Sequence, residues 1–164
     1  MGWSDIATDD CSTWYIYSWT NGPDYNFIEW NADLDSILFV DSAFEIYPEP
    51  VMILSNDKRF IVYNNPGESW DPLETRACEI RVYDTELHQL ADIIDTRYVN
   101  DAGDTTYYAV VEMVITPDSK YLIAISHGGE NIFLVYNLQT LEIERWVDIE
   151  GNHGFGSLLC QRDL

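Results

Sequence analysis

Asn31-Ala32-Asp33-Leu34-Asp35-Ser36 puts side-chain oxygens at alternate positions, as the start of a calcium-binding loop does. Such a loop needs glycine sixth and a bidentate glutamate twelfth, and here Ser36 and Ser42 stand there. The segment is expected to be a turn, and no metal is expected. Ser126-His127 sets a hydroxyl beside an imidazole, the pair that nucleophilic catalysis uses. Adjacent strand residues face opposite sides of a sheet, so the pair is poorly placed to share a proton, and His127 reads as an ordinary turn residue. His88, His127 and His153 lack the His-Glu-x-x-His spacing. Neither a Gly-x-Ser-x-Gly elbow nor a Gly-x-x-x-x-Gly-Lys-Ser/Thr phosphate loop occurs. Cys11, Cys78 and Cys160 are odd in number and have no Cys-x-x-Cys spacing, which reads as free thiols in a reducing compartment. Neither a catalytic residue nor a cofactor is expected.

Recognition is the chemistry that remains. Acids and aromatics gather in long connecting segments: Asp24; Phe44, Glu45, Tyr47 and Glu49; Glu68, Trp70, Asp71 and Glu74; Tyr98, Asp101 and Asp104. Basic residues there are Arg76 and Arg97. Large aromatics make good anchors for a protein partner, and surrounding acid steers a basic one.

The elements that would position these segments recur at a fixed interval. Phe27-Ile28-Glu29-Trp30-Asn31, Ile80-Arg81-Val82-Tyr83-Asp84 and Phe133-Leu134-Val135-Tyr136-Asn137 are each an alternating strand closed by an aromatic and then Asn or Asp. A constant spacing of this kind marks one supersecondary unit used three times. The third copy predicts strands over 112–116, 121–126, 131–137 and 141–148, joined by turns such as Pro117-Asp118-Ser119-Lys120. The second predicts strands over 51–55, 59–64, 78–84 and 88–95; the stretch from Ser55 lies over that from Thr116 without a gap. Leu87–Asp95 also fits a helical period, but its aligned segments are β-branched and strand-like. The first copy predicts strands over 14–19, 25–31 and 36–41; its first strand, aligned with 6–10, is short and charged. Residues 156–160, Gly-Ser-Leu-Leu-Cys, read as the missing strand, so the C-terminus is expected to complete the first copy. The domain plan is then one repeat domain, 1–164, with units at about 12–41 plus 156–160, 50–95 and 111–148.

Asp and Glu total 29 against 8 Lys and Arg, a net charge of −21. That balance argues against direct contact with nucleic acid or an anionic membrane surface, and favours a basic partner or a salt-rich habitat. The first residues have no basic and then apolar leader pattern, and no apolar run is long enough to span a bilayer. A soluble, cytoplasmic protein is expected.

Four-stranded units with Asp or Pro-Asp in the first turn and an aromatic-Asp or aromatic-Asn pair ending the third strand resemble β-propeller blades of the WD40 and YVTN-like superfamily. Trp30-Asn31, Tyr83-Asp84 and Tyr136-Asn137 fall where WD40 repeats carry Trp-Asp, and 115–137 is most similar to YVTN-like blades. The Gly-His pair of WD40 repeats has no counterpart; His127-Gly128 and His153-Gly154 run in the opposite order. The resemblance implies an all-β fold of three antiparallel, four-stranded blades. Propellers have four to eight blades, so three leave a ring open. Closure by a homodimer, by a different protein, as an arc, or by further blades of a longer gene product are the alternatives, with the homodimer favoured.

In such blades the links from strand two to three and from one blade to the next leave one end, and here they are the long ones. The expected function is a non-enzymatic interaction module whose acidic, aromatic end binds a basic protein, inhibiting one that handles nucleic acid. A carbohydrate or small-ligand binder is the alternative, and a propeller enzyme ranks last.

Overall fold

The computed structural model of the chain describes residues 3–7, 12–19, 25–44, 52–65, 79–99, 103, 105–107, 109–127 and 132–148. The first sheet holds β1 (Trp3–Ala7), β2 (Thr13–Trp19), β3 (Tyr25–Asn31) and β4 (Ser36–Phe44). The second holds β5 (Met52–Leu54), β6 (Phe60–Asn65), β7 (Glu79–Asp84) and β8 (Gln89–Asp95). The third holds β11 (Ala109–Ile115), β12 (Tyr121–His127), β13 (Ile132–Asn137) and β14 (Glu142–Asp148). Each is an antiparallel meander with neighbours in chain order. A short ladder between β9 (Arg97–Val99) and β10 (Thr105–Tyr107) lies between the second and third sheets in the chain. The described residues contain no helix, and Leu87–Asp95 is turn and strand.

The repeat extends to the register. Glu29 pairs with Phe39, Val82 with Asp92 and Val135 with Arg145; one step on, Trp30 pairs with Ile37, Tyr83 with Leu90 and Tyr136 with Ile143. The same bulge sits between these pairs in every sheet, with Leu38, Ala91 and Glu144 as the extra residues. A bulge adds local twist, and repeating it gives the three sheets the same shape.

The recurring Asn or Asp has a backbone task. Asn31 Oδ1 accepts the amide of Leu34 at 2.9 Å. Asp84 Oδ1 accepts the amides of Glu86 and Leu87 at 2.9 and 3.0 Å, and Asn137 Oδ1 those of Gln139 and Thr140 at 2.9 and 3.2 Å. Each turn ends in a left-handed residue at the same position: Asp35 (φ 45°), His88 (φ 53°) and Leu141 (φ 57°). The side chain thus closes the turn between the third and fourth strands. The turns after β5 and β11 also match atom for atom. Ser55 Oγ donates to Asp57 Oδ1 and accepts the amide of Phe60; Thr116 Oγ1 donates to Asp118 Oδ1 and accepts the amide of Tyr121.

Two corrections follow. The first sheet takes its first strand from Trp3–Ala7, which pairs with β2 over Trp3↔Ser18 to Ala7↔Trp14. Only Ile6 among those five residues is β-branched, so propensity was weak; the ladder to an aromatic-rich neighbour supplies what it lacks. Residues 156–160, expected in that place, lie outside the described residues. Secondly, strand structure runs past the expected ends, to Phe44 in β4 and to His127 in β12, so His127 is a strand residue rather than a turn residue.

Each sheet has a leading face toward the sheet before it and a trailing face toward the sheet after. Tyr15 and Phe27 on the first trailing face form one core with Ile61, Tyr63 and Tyr83 on the second leading face. Tyr83 lies 5.1 Å from Phe27 and 4.7 Å from Phe39 by ring centroids, and Phe27 stacks on Tyr63 at 4.7 Å. Phe60, Val62, Ile80, Val82 and Ile94 on the second trailing face share a second core with Leu122, Ala124, Leu134 and Tyr136 on the third leading face. Among the described residues, the two hydrophobic cores therefore lie between sheets.

Candidate functional site

Strand direction divides the connections into two ends. At one end, the turns 32–35, 55–59, 85–88, 116–120 and 138–141 are four or five residues long. At this end Asn56 Nδ2 donates to the carbonyl of Pro117 at 2.9 Å, and the amide of Asp57 to Ser119 Oγ at 2.9 Å. These bonds fasten the second sheet to the third. Between β5 and β11 is a cleft of about 230 Å³ lined by Ile53, Leu54, Asn56, Met113, Val114, Ile115 and Pro117. It falls below the volume of an ordinary ligand pocket.

The other end carries the connections 20–24, 45–51, 66–78, 96–108 and the shorter 128–131. Phe44 is the last residue of β4, paired with Tyr25, and Tyr98 is the middle of β9, paired with Thr106. Glu45, Tyr47, Glu49, Glu68, Trp70, Asp71, Glu74, Asp101 and Asp104 lie outside the described residues, as do Asp24, Arg76, Cys11, Cys78, Cys160 and His153. Asn31–Ser36 forms the same turn as its two counterparts, with Asn31 Oδ1 turned to a backbone amide. Ser126 and His127 occupy consecutive ladder positions opposite Val110 and Ala109. No group of three or more His, Cys, Asp or Glu among the described residues is arranged to hold a metal ion.

The polar groups that the structure does bring together sit at the sheet junctions. Glu29 is 0% exposed; its Oε2 accepts the hydroxyl of Tyr83 at 2.5 Å and lies 2.8 Å from Nδ1 of the exposed His88. Burial first, then the bond to Glu29, pushes the pKa of Tyr83 far above the usual phenol range. Tyr83 is therefore a fixed proton donor, and the carboxylate that it meets is sealed from any substrate. The cluster ties two sheets together, Glu29 belonging to the first and Tyr83 and His88 to the second.

Asp41 Oδ2 accepts from Tyr63 Oη at 2.8 Å and from Arg81 Nη1 at 2.7 Å, while Arg81 Nη2 reaches Glu79 at 3.2 Å. Burial alone would lower the pKa of Arg81; the hydrogen bond and charge of Asp41, with the Glu79 charge, reverse that and raise it. At the second junction Tyr136 donates to Asp92 Oδ2 at 2.5 Å, and Asn64 Nδ2 to the carbonyl of Val110 at 2.7 Å. The Tyr136 phenol is likewise raised, by burial and then by the bond to Asp92. Sequence reasoning missed Glu29, Asp41, Arg81, His88 and Asp92. A usable signal existed for the first two: each follows an aromatic by two residues, on the same buried side of its strand.

No protein-family model matches this sequence, and no curated protein matches it. Among solved structures, it is similar to that of U3-55K, with a TM-score of 0.57 and 14% identity over 87% of this chain and 38% of that one. The RRP9 WD40 repeats match at 0.57 and 14%, covering 87% of this chain and 37% of theirs. The β-propeller domain of the trilobed protease from Pyrococcus furiosus matches at 0.51 and 13%, covering 84% of this chain and 38% of that one. The chain thus spans well under half the length of these structures. Its fold is that of β-propeller blades, three antiparallel sheets following one another along the chain.

Proposed function

We propose that the protein is a non-enzymatic interaction module that holds a basic protein against the end of the blades where the long connections emerge. One combination supports the reading: a net charge of −21, and a meander order from which the acid- and aromatic-rich connections are expected at the end opposite the turns that cap the third strands. Loops on a rigid scaffold are the usual carriers of recognition. Phe44, Tyr47, Trp70 and Tyr98 serve as anchors, and Glu45, Glu49, Glu68, Asp71, Glu74, Asp101 and Asp104 provide the field that draws a cation-rich surface in. A partner whose basic surface handles nucleic acid is the natural target, because the acidic end occupies the site that a polyanion would take.

Calorimetric titration against a panel of basic nucleic-acid-binding domains, at low and high salt, tests this. Binding is expected to weaken as salt rises. It is expected to fall at least tenfold in Trp70→Ala and in the combined Glu68→Gln, Asp71→Asn, Glu74→Gln variant, and to be competed by nucleic acid. Absence of binding at low salt, or binding indifferent to salt and to both variants, overturns the reading.

A further inference from the structure

The fourth strand is the edge of each sheet, and among the described residues it pairs with the third strand alone. Charge guards the three edges unequally. β8 carries Asp95, and β14 carries Glu142, Glu144 and Arg145, all exposed. Exposed charge of this kind keeps an open edge from pairing with another chain. In β4 the stretch Ser36-Ile37-Leu38-Phe39-Val40 holds no charge, and the Asp41 that follows is buried in its bonds to Tyr63 and Arg81. The bulge at Leu38 recurs in all three fourth strands, so it does not set β4 apart.

The apolar side chains of this edge stay open whether or not another blade packs on blade one. Val40 is 48% exposed; its counterpart Ile93 pairs with Arg81, on the face that blade one covers, and is still 46% exposed. Leu34, in the turn that leads into β4, is 69% exposed, and its counterpart Leu87 is 61% exposed. Leu38 is exposed with blade two in place. Ile37 differs, because its counterpart Leu90 is half-buried against the first core; Ile37 belongs to the face rather than to the edge.

Unpaired backbone beside apolar side chains suits an extended segment that adds as a further strand. The charge nearby selects which segment. Asp33 and Asp35 flank Leu34 and are exposed, so they complement a cation. The antiparallel ladder is the stronger per residue. A guest in that sense runs toward the turn, so its cations come after its apolar residues.

We propose that β4 is a docking edge for an extended segment of a partner protein. The segment pairs antiparallel with β4, sets alternate apolar residues beside Val40, Leu38 and Leu34, and brings a following Lys or Arg to Asp33 and Asp35. This edge uses none of the long connections and does not rest on the reading of them given above.

A fluorescent peptide, Thr-Val-Thr-Val-Thr-Val-Lys-Lys, titrated with the 164-residue chain and followed by anisotropy, tests the proposal. Saturable binding is expected. Leu38→Lys and Val40→Lys should each weaken it by about tenfold or more, with the strand signal in circular dichroism unchanged. Ile93→Lys, on the edge of blade two, should leave it as it was. Methylating alternate backbone nitrogens of the peptide removes ladder donors and keeps every side chain, and one of the two methylation frames should abolish binding. Asp33→Asn with Asp35→Asn should weaken this peptide but not its Ser-Ser-ended counterpart. No saturable binding overturns the proposal, as does binding that survives both methylation frames or both lysine variants. A chain that sediments as a dimer and is dissociated by Val40→Lys would give the edge to a second copy, and would overturn it too.

Discussion

Replacing Asp41 by Ile and Arg81 by Leu gives the first junction the side chains that the second already carries as Ile94 and Leu134. Asp41 is 8% exposed and Arg81 7%, so this ion pair works in a largely water-free layer. Asp41→Ile alone takes from the guanidinium its closest partner and leaves it Glu79 at 3.2 Å, and breaking a buried pair costs up to about 3–5 kcal/mol. Arg81→Leu alone removes the cation from the buried Asp41 and costs a similar amount, the Tyr63 hydroxyl remaining; Glu79, half-buried, turns to water instead. The two together remove both charges, and exchanging a buried pair for well-packed hydrophobes ranges from neutral to a gain of about 1–4 kcal/mol. The Tyr63 hydroxyl has lost its bond to Asp41, about 0.5–1.5 kcal/mol, and Tyr63→Phe removes that group as well. The triple variant is therefore expected at or above the parent in stability, with each single charge variant well below it. Urea unfolding followed by far-UV circular dichroism, with the slope checked for constancy, gives the cycle. A coupling energy of at least about 2 kcal/mol between positions 41 and 81 is expected. Additive single effects would refute the view that one ionic layer joins blades one and two.

Tyr83 and Tyr136 are held protonated in the fold by burial and by their carboxylate partners. Their folded pKa values are raised, so the stability they lend is complete below about pH 10, where unfolded tyrosine begins to ionise. It is lost as pH climbs above that point, by up to about 1.4 kcal/mol per pH unit for each group. Tyrosinate absorbance should rise together with loss of the strand signal, and Tyr83→Phe or Tyr136→Phe should each remove one proton from the slope; a native strand signal with every tyrosine ionised would contradict this. Asp118 shifts the other way, lowered by the Thr116 hydroxyl and then the Lys120 amide. Its contribution is present above the ordinary carboxylate pKa of about 3.9 and disappears as pH falls through the lower folded value. Carboxyl NMR titration should place its midpoint below that of a free aspartate, and Thr116→Val should move it back up; an unmoved midpoint in that variant would sink the attribution.

The repeat could be read from the chain because its marker residues have backbone work at fixed positions. Asn31, Asp84 and Asn137 each cap a turn, and a cap must recur wherever the turn recurs. The helical period at 87–95 has an origin in the same architecture. Ala91 is the bulge residue, so the alternation slips by one there, and Leu90, Ile93 and Ile94 come to stand at helix-like intervals within a strand. Trp3–Ala7 escaped notice for the opposite reason, since a five-residue strand held by its neighbour leaves little pattern of its own. The junction carboxylates were hidden by number. In a chain with 29 acids, Asp92 has nothing local to set it apart from a solvated residue, the aromatic two positions before Glu29 and Asp41 is a faint signal, and the partners of all three belong to other sheets. Phe44 and Tyr98 were read as loop residues because each stands near a strand end, where propensity and turn signals compete.

Repetition poses a problem that these hidden residues solve. Three blades with the same register, bulge and turn caps could in principle stack in any order, because an apolar face accepts any apolar face. The first trailing face does not. It presents Glu29 and Asp41, both buried, and a leading face with Tyr83, Tyr63 and Arg81 brings a donor to each of them. Setting the third blade there would bring Tyr136 to Glu29 but oppose Leu134 and Ala124 to Asp41, leaving a buried carboxylate without a donor. That mismatch costs about 3–5 kcal/mol, a large fraction of what holds an ordinary domain together. Blade order is thus encoded where the copies differ, and blade shape where they agree.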